Sequence, residues 1–550
     1  MEIGYLLTYY INFGKIYISI ISKERKNAMK KTKFLLLLLC FCMILPVLAA
    51  CGGGDDGDTG HDGFVYDYDD SCREKAIDSV PEGYQLYGRT VGLFYAQHIE
   101  ASVIGMDQFL EDYDLVYSKV FERNKMVEMR LNTHIKMIPS ATTYWGDVTT
   151  VLRQKIIAGD DETEIVMSTN NTIVQNKLFN YFYDISGTGE YDASEFIDLS
   201  ENWWYEDAIM ETSVDGYSLR LLYGDINMST YGNAGAIYYN KRLYDSGLSE
   251  GKGRDYLYEV VLDGKWTFDM LYKLTKDSHR ELGPAGPDGD QFGYLFTRHG
   301  EALHYIPVGM GITYYTRDAM NMPVINLLDN VNMTKSYKVA EMMYNFMWEN
   351  PGFDDRMYQK LNGEEANFPY SFANADYVFQ LGTIGNALGD AMREMEDDYG
   401  LIPFPKYDYD QEEYISFMAN GTVLVGMPII VSEDDMATTL SAVIECMCSE
   451  AYRSVSVTYF DTALKGAYSR DPESAQMIDI IMGQHPTIKS KLTKNLVYEY
   501  SWSLAGVGRI YQSLCSTKDK NFKSKYDSII GAENAAMRIL FQKYQSGEID

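Results

Sequence analysis

EIVMSTNN, residues 164–171, is the stretch that decides the fold. Its first half, 164–167, has the branched apolar character of a short strand. Its second half, Ser168-Thr169-Asn170-Asn171, reads as a polar loop at the strand's C-terminal end. In an open parallel sheet that edge is where ligands sit. The sequence just upstream supplies the rest of the layer. Residues 91–95 read as a strand, 119–132 as a helix, 135–138 as a strand, and 148–158 as a helix stopped at Gly159. Such helix–strand alternation predicts an α/β layer.

Downstream the pattern continues. FIDLS (196–200) is followed by ENWWY (201–205), where two tryptophans stand beside acids. AIYYNK (236–241) precedes a helical stretch, 242–248. KWTFD (265–269) opens a helix with Thr267 as N-cap and Met270, Leu271 and Leu274 on one face. GPAGPDGDQFG (283–293) is a loop that lacks the twelfth-position Glu of an EF-hand. Residues 331–349 predict a helix ended by Asn350-Pro351-Gly352, and 387–395 another. In DDYGLIPFPK (397–406), Pro403 and Pro405 stiffen an extended path, as in a chain crossing between lobes. Residues 422–431 predict strand; 437–452, 474–482 and 532–544 predict helices. No internal repeat is present.

At 550 residues the chain calls for two to four lobes of ~100–200 residues each. It is 46% hydrophobic and 23% charged, as soluble proteins are, and carries 46 Tyr, whose flat face and hydroxyl suit polar ligands. The net charge of −31 argues against nucleic acid, which needs clustered Lys and Arg. The seven cysteines show no CxxC pair; Cys446 and Cys448 read as a buried helix edge.

The N-terminus has its own logic. From Met29 a basic run (Lys30, Lys31, Lys33) leads into an apolar stretch, 34–48, that is short for a span of ~20 residues. Leu48-Ala49-Ala50-Cys51 resembles a bacterial lipobox, which implies lipid attachment at Cys51. The Gly/Asp-rich 52–63 reads as a tether. Residues 1–28 fit no part of this and read as an over-called upstream segment. Removing 1–50 takes away seven Lys/Arg and two Asp/Glu, so 41 basic and 77 acidic residues leave −36.

The order of segments resembles that of bacterial extracellular solute-binding proteins of ABC importers (family 1-like, carbohydrate-type, a clostridial branch). The resemblance is carried by AIYYNKRLY (236–244), KWTFD (265–269), QFGY (291–294), YGLIPFPK (399–406), and ALKGA (463–467) with RDPE (470–473). It covers roughly 90–545. It implies an α/β fold of the periplasmic-binding-protein-like type II: two lobes joined by a multi-crossing hinge, with a solute in the cleft. The implied organisation is a signal at 29–50, a tether at 51–85, a first lobe of 86–230 with 403–460, and a second of 231–402 with 461–550. The crossings would fall near 225–236 and 401–406. Implied partners are a small solute, most readily a sugar or oligosaccharide, permease transmembrane subunits, and the membrane through the lipid on the outer face of the cell. The resemblance implies a monomer, no cofactor and no turnover.

Sugars present apolar CH faces and hydroxyl edges, which stacking aromatics and hydrogen-bonding side chains serve. Tyr95, Trp145, Trp203, Trp204, Tyr231 and Trp502 lie in or near loops and are aromatic candidates. Asn170, Asn171, Asp225, Asn233 and Asp390 are the polar ones. Trp203 and Trp204, being adjacent, are expected to diverge, so at most one would touch ligand. Trp266 and Trp348 sit in helical patterns and read as core. Two rivals stand beside this reading. A peptide-binding role would use main-chain pairing and a charge clamp. A glycoside hydrolase would need two carboxylates ~5–10 Å apart. HExxH and GxSxG are absent.

Overall fold

The computed structural model describes residues 73 and 75–547, apart from 107–114, 143–144, 174–177, 187–194, 283–289, 296–302, 304, 329–331, 355–371, 420, 430–433, 461–471, 486 and 494–505. The expectations on Cys51 and the rest of 1–72, and on Trp502, lie outside the described residues.

Thirteen strands are described: β1 (Arg89–Tyr95), β2 (Thr133–Pro139), β3 (Ile165–Thr169), β4 (Gly235–Asn240), β5 (Phe292–Leu295), β6 (Tyr315–Arg317), β7 (Pro323–Ile325), β8 (Phe353–Asp354), β9 (Tyr377–Thr383), β10 (Tyr399–Ile402), β11 (Tyr414–Phe417), β12 (Val423–Gly426) and β13 (Ser490–Thr493). They make two main sheets. The first has the order β12-β3-β1-β2, with β1, β2 and β3 parallel and β12 antiparallel to β3. The second has the order β10-β4-β9-β5-β8. β11 pairs with β13, and β6 with β7.

Helices Leu115–Leu131 and Trp145–Ala158 connect the parallel strands of the first sheet. That is why β1 is apolar without alternation: Val91, Leu93, Phe94 and Tyr95 are all buried, as expected where both sheet faces are covered. Gly92 is required there, because a Cβ would lie 1.6 Å from the Glu162 carbonyl oxygen. Helix Asp434–Glu450 and the π-helical turns of Ala451–Ser456 pack on helix Leu115–Leu131 and complete the first lobe. The two-lobe α/β arrangement is therefore present, with a late strand, β12, returning antiparallel to an early sheet.

The second crossing is displaced from its expected place. Residues 403–406 stay with the second lobe: Trp266 Nε1 donates to the Pro403 carbonyl at 2.9 Å, and Phe268 N to the Lys406 carbonyl at 2.8 Å. The two prolines do hold an extended path, but helix Phe268–Lys276 caps it instead of releasing it. β11 then pairs with β13, and only after Phe417 does the chain return. Residues 403–417 thus belong to the second lobe.

The lobes also touch away from the crossings. The Arg317 guanidinium, on β6, donates to the carbonyls of Ser213 at 2.6 Å and Val214 at 3.2 Å. Tyr544, near the end of helix Phe522–Ser546, donates to Asp215 at 3.2 Å.

Candidate functional site

The segments that pass between the sheets lie side by side. The first runs from Asp225 to Ala234, the second from Met418 to Thr422, and the third leaves the first lobe at Tyr459-Phe460. Ala234 pairs antiparallel with Met418, and Ala419 N donates to the Asn233 carbonyl at 3.1 Å. The Ser229 hydroxyl accepts from Val423 N at 3.0 Å, fixing the start of β12. On the second-lobe side Ile384 N donates to the Ala234 carbonyl at 2.9 Å.

Two glycines let these backbones meet. A Cβ on Gly385 would stand 2.9 Å from the Gly232 carbonyl oxygen, and one on Gly232 would stand 3.1 Å from the Tyr459 hydroxyl. Tyr231 is buried behind them, its ring 4.8 Å from that of Tyr459 and 5.0 Å from that of Phe460. Asn233 is half-buried at the end of the short helical turn Ser229–Gly232, beside Gly421.

Asn170 stands at the C-terminal end of β3, where its N–H donates to the Thr422 carbonyl at 3.0 Å. Its side chain is buried. Oδ1 accepts from the Tyr223 hydroxyl at 2.6 Å, whereas Nδ2 has no partner among the described residues. A buried amide donor without a partner is costly, on the order of 1–3 kcal/mol. The matching edge of the second sheet is the end of β9. There Asn386 Oδ1 accepts from Thr383 N at 2.7 Å, and Ala387 N donates to the Tyr238 hydroxyl at 3.1 Å.

The remaining sequence candidates fall in different places. Tyr95 is buried and donates to Glu100 at 2.9 Å. Asp225 is buried, accepts from Tyr205 at 2.9 Å and from the Ser456 hydroxyl, and so ties the first crossing to the helix that leads to the third. Burial raises its carboxyl above the ordinary range. Trp145 begins helix Trp145–Ala158, Asn171 lies in the helical turn Asn170–Ile173, and Asp390 begins helix Asp390–Arg393; their side chains lie outside the description. The 168–171 stretch is therefore not a loop throughout, since β3 runs to Thr169 and a helical turn follows.

Trp203 and Trp204 need correction. Both are buried, and both indole N–H groups point at Glu445, at 3.0 and 2.9 Å. Side chains of neighbours diverge in strands and helices, but this pair sits in an irregular turn, which imposes no such alternation. They are core. Cys446 and Cys448, flanking the same helix turn, are buried thiols, and burial pushes that of Cys446 up to about 12, which keeps it unreactive.

Sequence reasoning passed over Tyr459, Thr422, Gly232 and Gly385. No local signal marks them, because their meeting depends on segments up to about 250 residues apart. The polar groups at this junction are amides, hydroxyls, backbone donors and the buried Asp225 carboxyl. Among the described residues no group of three or more His, Cys, Asp or Glu could hold a metal, and no helix is long and apolar enough to cross a membrane.

No family model matches the chain, and no curated protein does. Among solved structures, the chain is similar to the ABC substrate-binding protein Lmo0181 from Listeria monocytogenes in complex with cycloalternan. That match has 11% identity, covers 82% of this chain and 99% of that one, and has a TM-score of 0.46. A second is RafE from Streptococcus pneumoniae, at 15% identity, 82% and 98% coverage and TM-score 0.44. A third is an ABC transporter solute-binding protein from Thermotoga lettingae bound with α-D-tagatose, at 11% identity, 82% and 100% coverage and TM-score 0.48.

Proposed function

We propose that this chain is the solute-binding component of an ABC importer. It captures an extracellular sugar or oligosaccharide between its lobes and hands it to a membrane permease without chemical change. The observation that carries the reading is the junction itself: three crossings between two α/β lobes, with the Asn170 amide unpartnered at the sheet edge beside the second. Lobes joined in this way close about a hinge, and a ligand shifts that two-state balance by its differential affinity. Asn170 Nδ2 would donate to a solute hydroxyl, Asn233 would stand on the hinge side, and Tyr459 would form the floor. We further propose a lipid at Cys51 that holds the protein on the outer face of the membrane, with the acidic tether between.

The test is a thermal-shift screen of the full chain against mono- and oligosaccharides, with short peptides alongside. A ligand at ~100 times its Kd adds about 2.7 kcal/mol, which raises Tm by several degrees at roughly 2–4 °C per kcal/mol. A shift with a sugar that is recovered intact supports the reading. A shift with peptides alone retains capture and discards the carbohydrate. Loss of the sugar during incubation overturns both.

Asn170→Ala then checks the site. It removes a donor that has no partner among the described residues together with the oxygen that accepts from the Tyr223 hydroxyl, so apo stability should fall by about 1–3 kcal/mol. Affinity for the sugar identified in the screen should fall about 10- to 100-fold, the loss expected for one buried hydrogen bond. A thermal melt gives the first value and isothermal titration the second. Unchanged affinity would remove Asn170 from the site.

A further inference from the structure

The hinge has a component that the sequence places far from it. Arg73, the earliest residue described, is buried against the third crossing. Its guanidinium carbon lies 4.8 Å from the centre of the Tyr452 ring and 5.8 Å from that of Phe460. Its charge also acts on Asp225, the carboxylate that opens the first crossing and accepts from Tyr205 and Ser456. One cation therefore packs on the helical run that leads into one crossing, and its charge acts on the acid that begins another.

The stretch that follows is held firmly. The Ala76 carbonyl accepts from Arg453 Nη1 at 2.7 Å. Asp78 accepts from both terminal nitrogens of Arg130 at 2.6 Å, from the Ser449 hydroxyl at 2.8 Å and from Arg453 Nη2 at 3.1 Å. Arg130 also donates to the Val80 carbonyl at 2.9 Å. Ser449, Tyr452, Arg453, Ser456 and Phe460 belong to one helical run, Asp434–Glu450 and its π-helical continuation. A wider turn of this kind re-aims the side chains beyond it, and such turns recur at functional sites.

We propose that Arg73 is a positioning residue of the hinge. With 75–80 pinned to the first lobe by Asp78, its guanidinium sets the spacing between the first and third crossings. The inference rests on reading the crossings as a hinge. Its test needs no solute, so it can fail while solute capture stands.

Amide hydrogen exchange of the full chain, without ligand, separates the possibilities. In Arg73→Ala, the amides that bind across the crossings, Ala419 and its neighbours in 415–423 and 228–235, should exchange roughly 3- to 30-fold faster. That is the size set by losing a desolvated cation–π contact. Amides of β1 and β9 should not change. Arg73→Lys, which keeps a cation over the rings, should restore most of the protection. Tyr452→Leu, which removes the ring nearer to Arg73 and leaves the Phe460–Tyr231 contact in place, should reproduce the Ala pattern and serves in its place should Arg73→Ala not fold. Unchanged exchange at the crossings overturns the proposal. So does an equal rise in β1, which would mean that Arg73 only stabilises the first lobe.

Discussion

Asp78→Asn is expected to lower the melting temperature of the first lobe by on the order of 10 °C. The Asp78 side chain is 2% exposed and serves two arginines at once, Arg130 and Arg453. Breaking a buried pair by removing one partner costs about 3–5 kcal/mol, because the other charge stays behind uncompensated. The lower end applies, since the two guanidiniums keep 29% and 15% exposure and regain some water. At roughly 2–4 °C per kcal/mol that gives the stated shift. Differential scanning calorimetry measures it, and a shift below about 2 °C would contradict the role given to Asp78. The pH dependence has a definite sign. Burial alone would raise this carboxyl, but the hydrogen bonds from Arg130 and Ser449 and the nearby positive charge outweigh it and lower its pKa to about 2. The folded state thus holds Asp78 ionised where the unfolded chain has begun to protonate. Its stabilisation is complete above about pH 4 and is lost as pH falls toward 2.

Glu445→Leu should be nearly as damaging, by a different route. It removes the acceptor of two buried indole N–H groups, Trp203 and Trp204, at a cost of about 1–3 kcal/mol each. Here the pH dependence runs the other way. Burial is the largest influence on this carboxyl and, with the charges of Asp78 and Glu201, raises its pKa to about 8 against the pull of the two indoles. The folded state keeps the proton where the unfolded chain has released it. Stability is therefore full below about pH 4.5 and declines as pH rises through 8. Glu445→Gln cannot ionise, so it should flatten that decline between pH 5 and 8 and remain more stable than the Leu variant. Urea titrations of the three proteins at pH 5, 6.5 and 8 decide this. A wild-type stability that does not fall over that range would mean that Glu445 is charged in the fold.

These two residues also show where the sequence ceased to inform. Elements with strong local signals were legible: β1, β2 and β3, the helix ending at Ala158, and the helix beginning at Phe268. Thr267 does occupy the N-cap position, although its side chain makes no capping bond. Helical spacing and apolar runs are written in neighbouring residues, so they can be read from them. The Trp203–Glu445 bond joins positions 242 apart, and no periodicity encodes it. The return to the first lobe was misplaced for a related reason. Prolines 403 and 405 announce an extended path but not which lobe it stays with, and that depends on Trp266 and β13. Of the candidate site, Asn170 was legible because a polar strand end is a local signal, whereas Asn233 stands at the end of a helical turn that carries no such mark. Trp203 and Trp204 went to the core because an aromatic beside acids suits a ligand and a buried carboxylate equally well.

The discontinuity of the first sheet has a consequence for how the chain is made. All five strands of the second sheet lie within 235–402, a single uninterrupted run. The first sheet begins at Arg89 yet cannot be completed until β12, at 423–426, is available. A chain emerging from its N-terminus therefore finishes its second sheet before its first. For the time taken to add some 250 residues, at roughly 5–20 residues per second, the β3 edge has no strand beside it. An unpaired edge of that length invites pairing with another chain. Nascent chains halted near residue 410 should thus be the most prone to aggregate and the most dependent on chaperones, and release past 426 should relieve both.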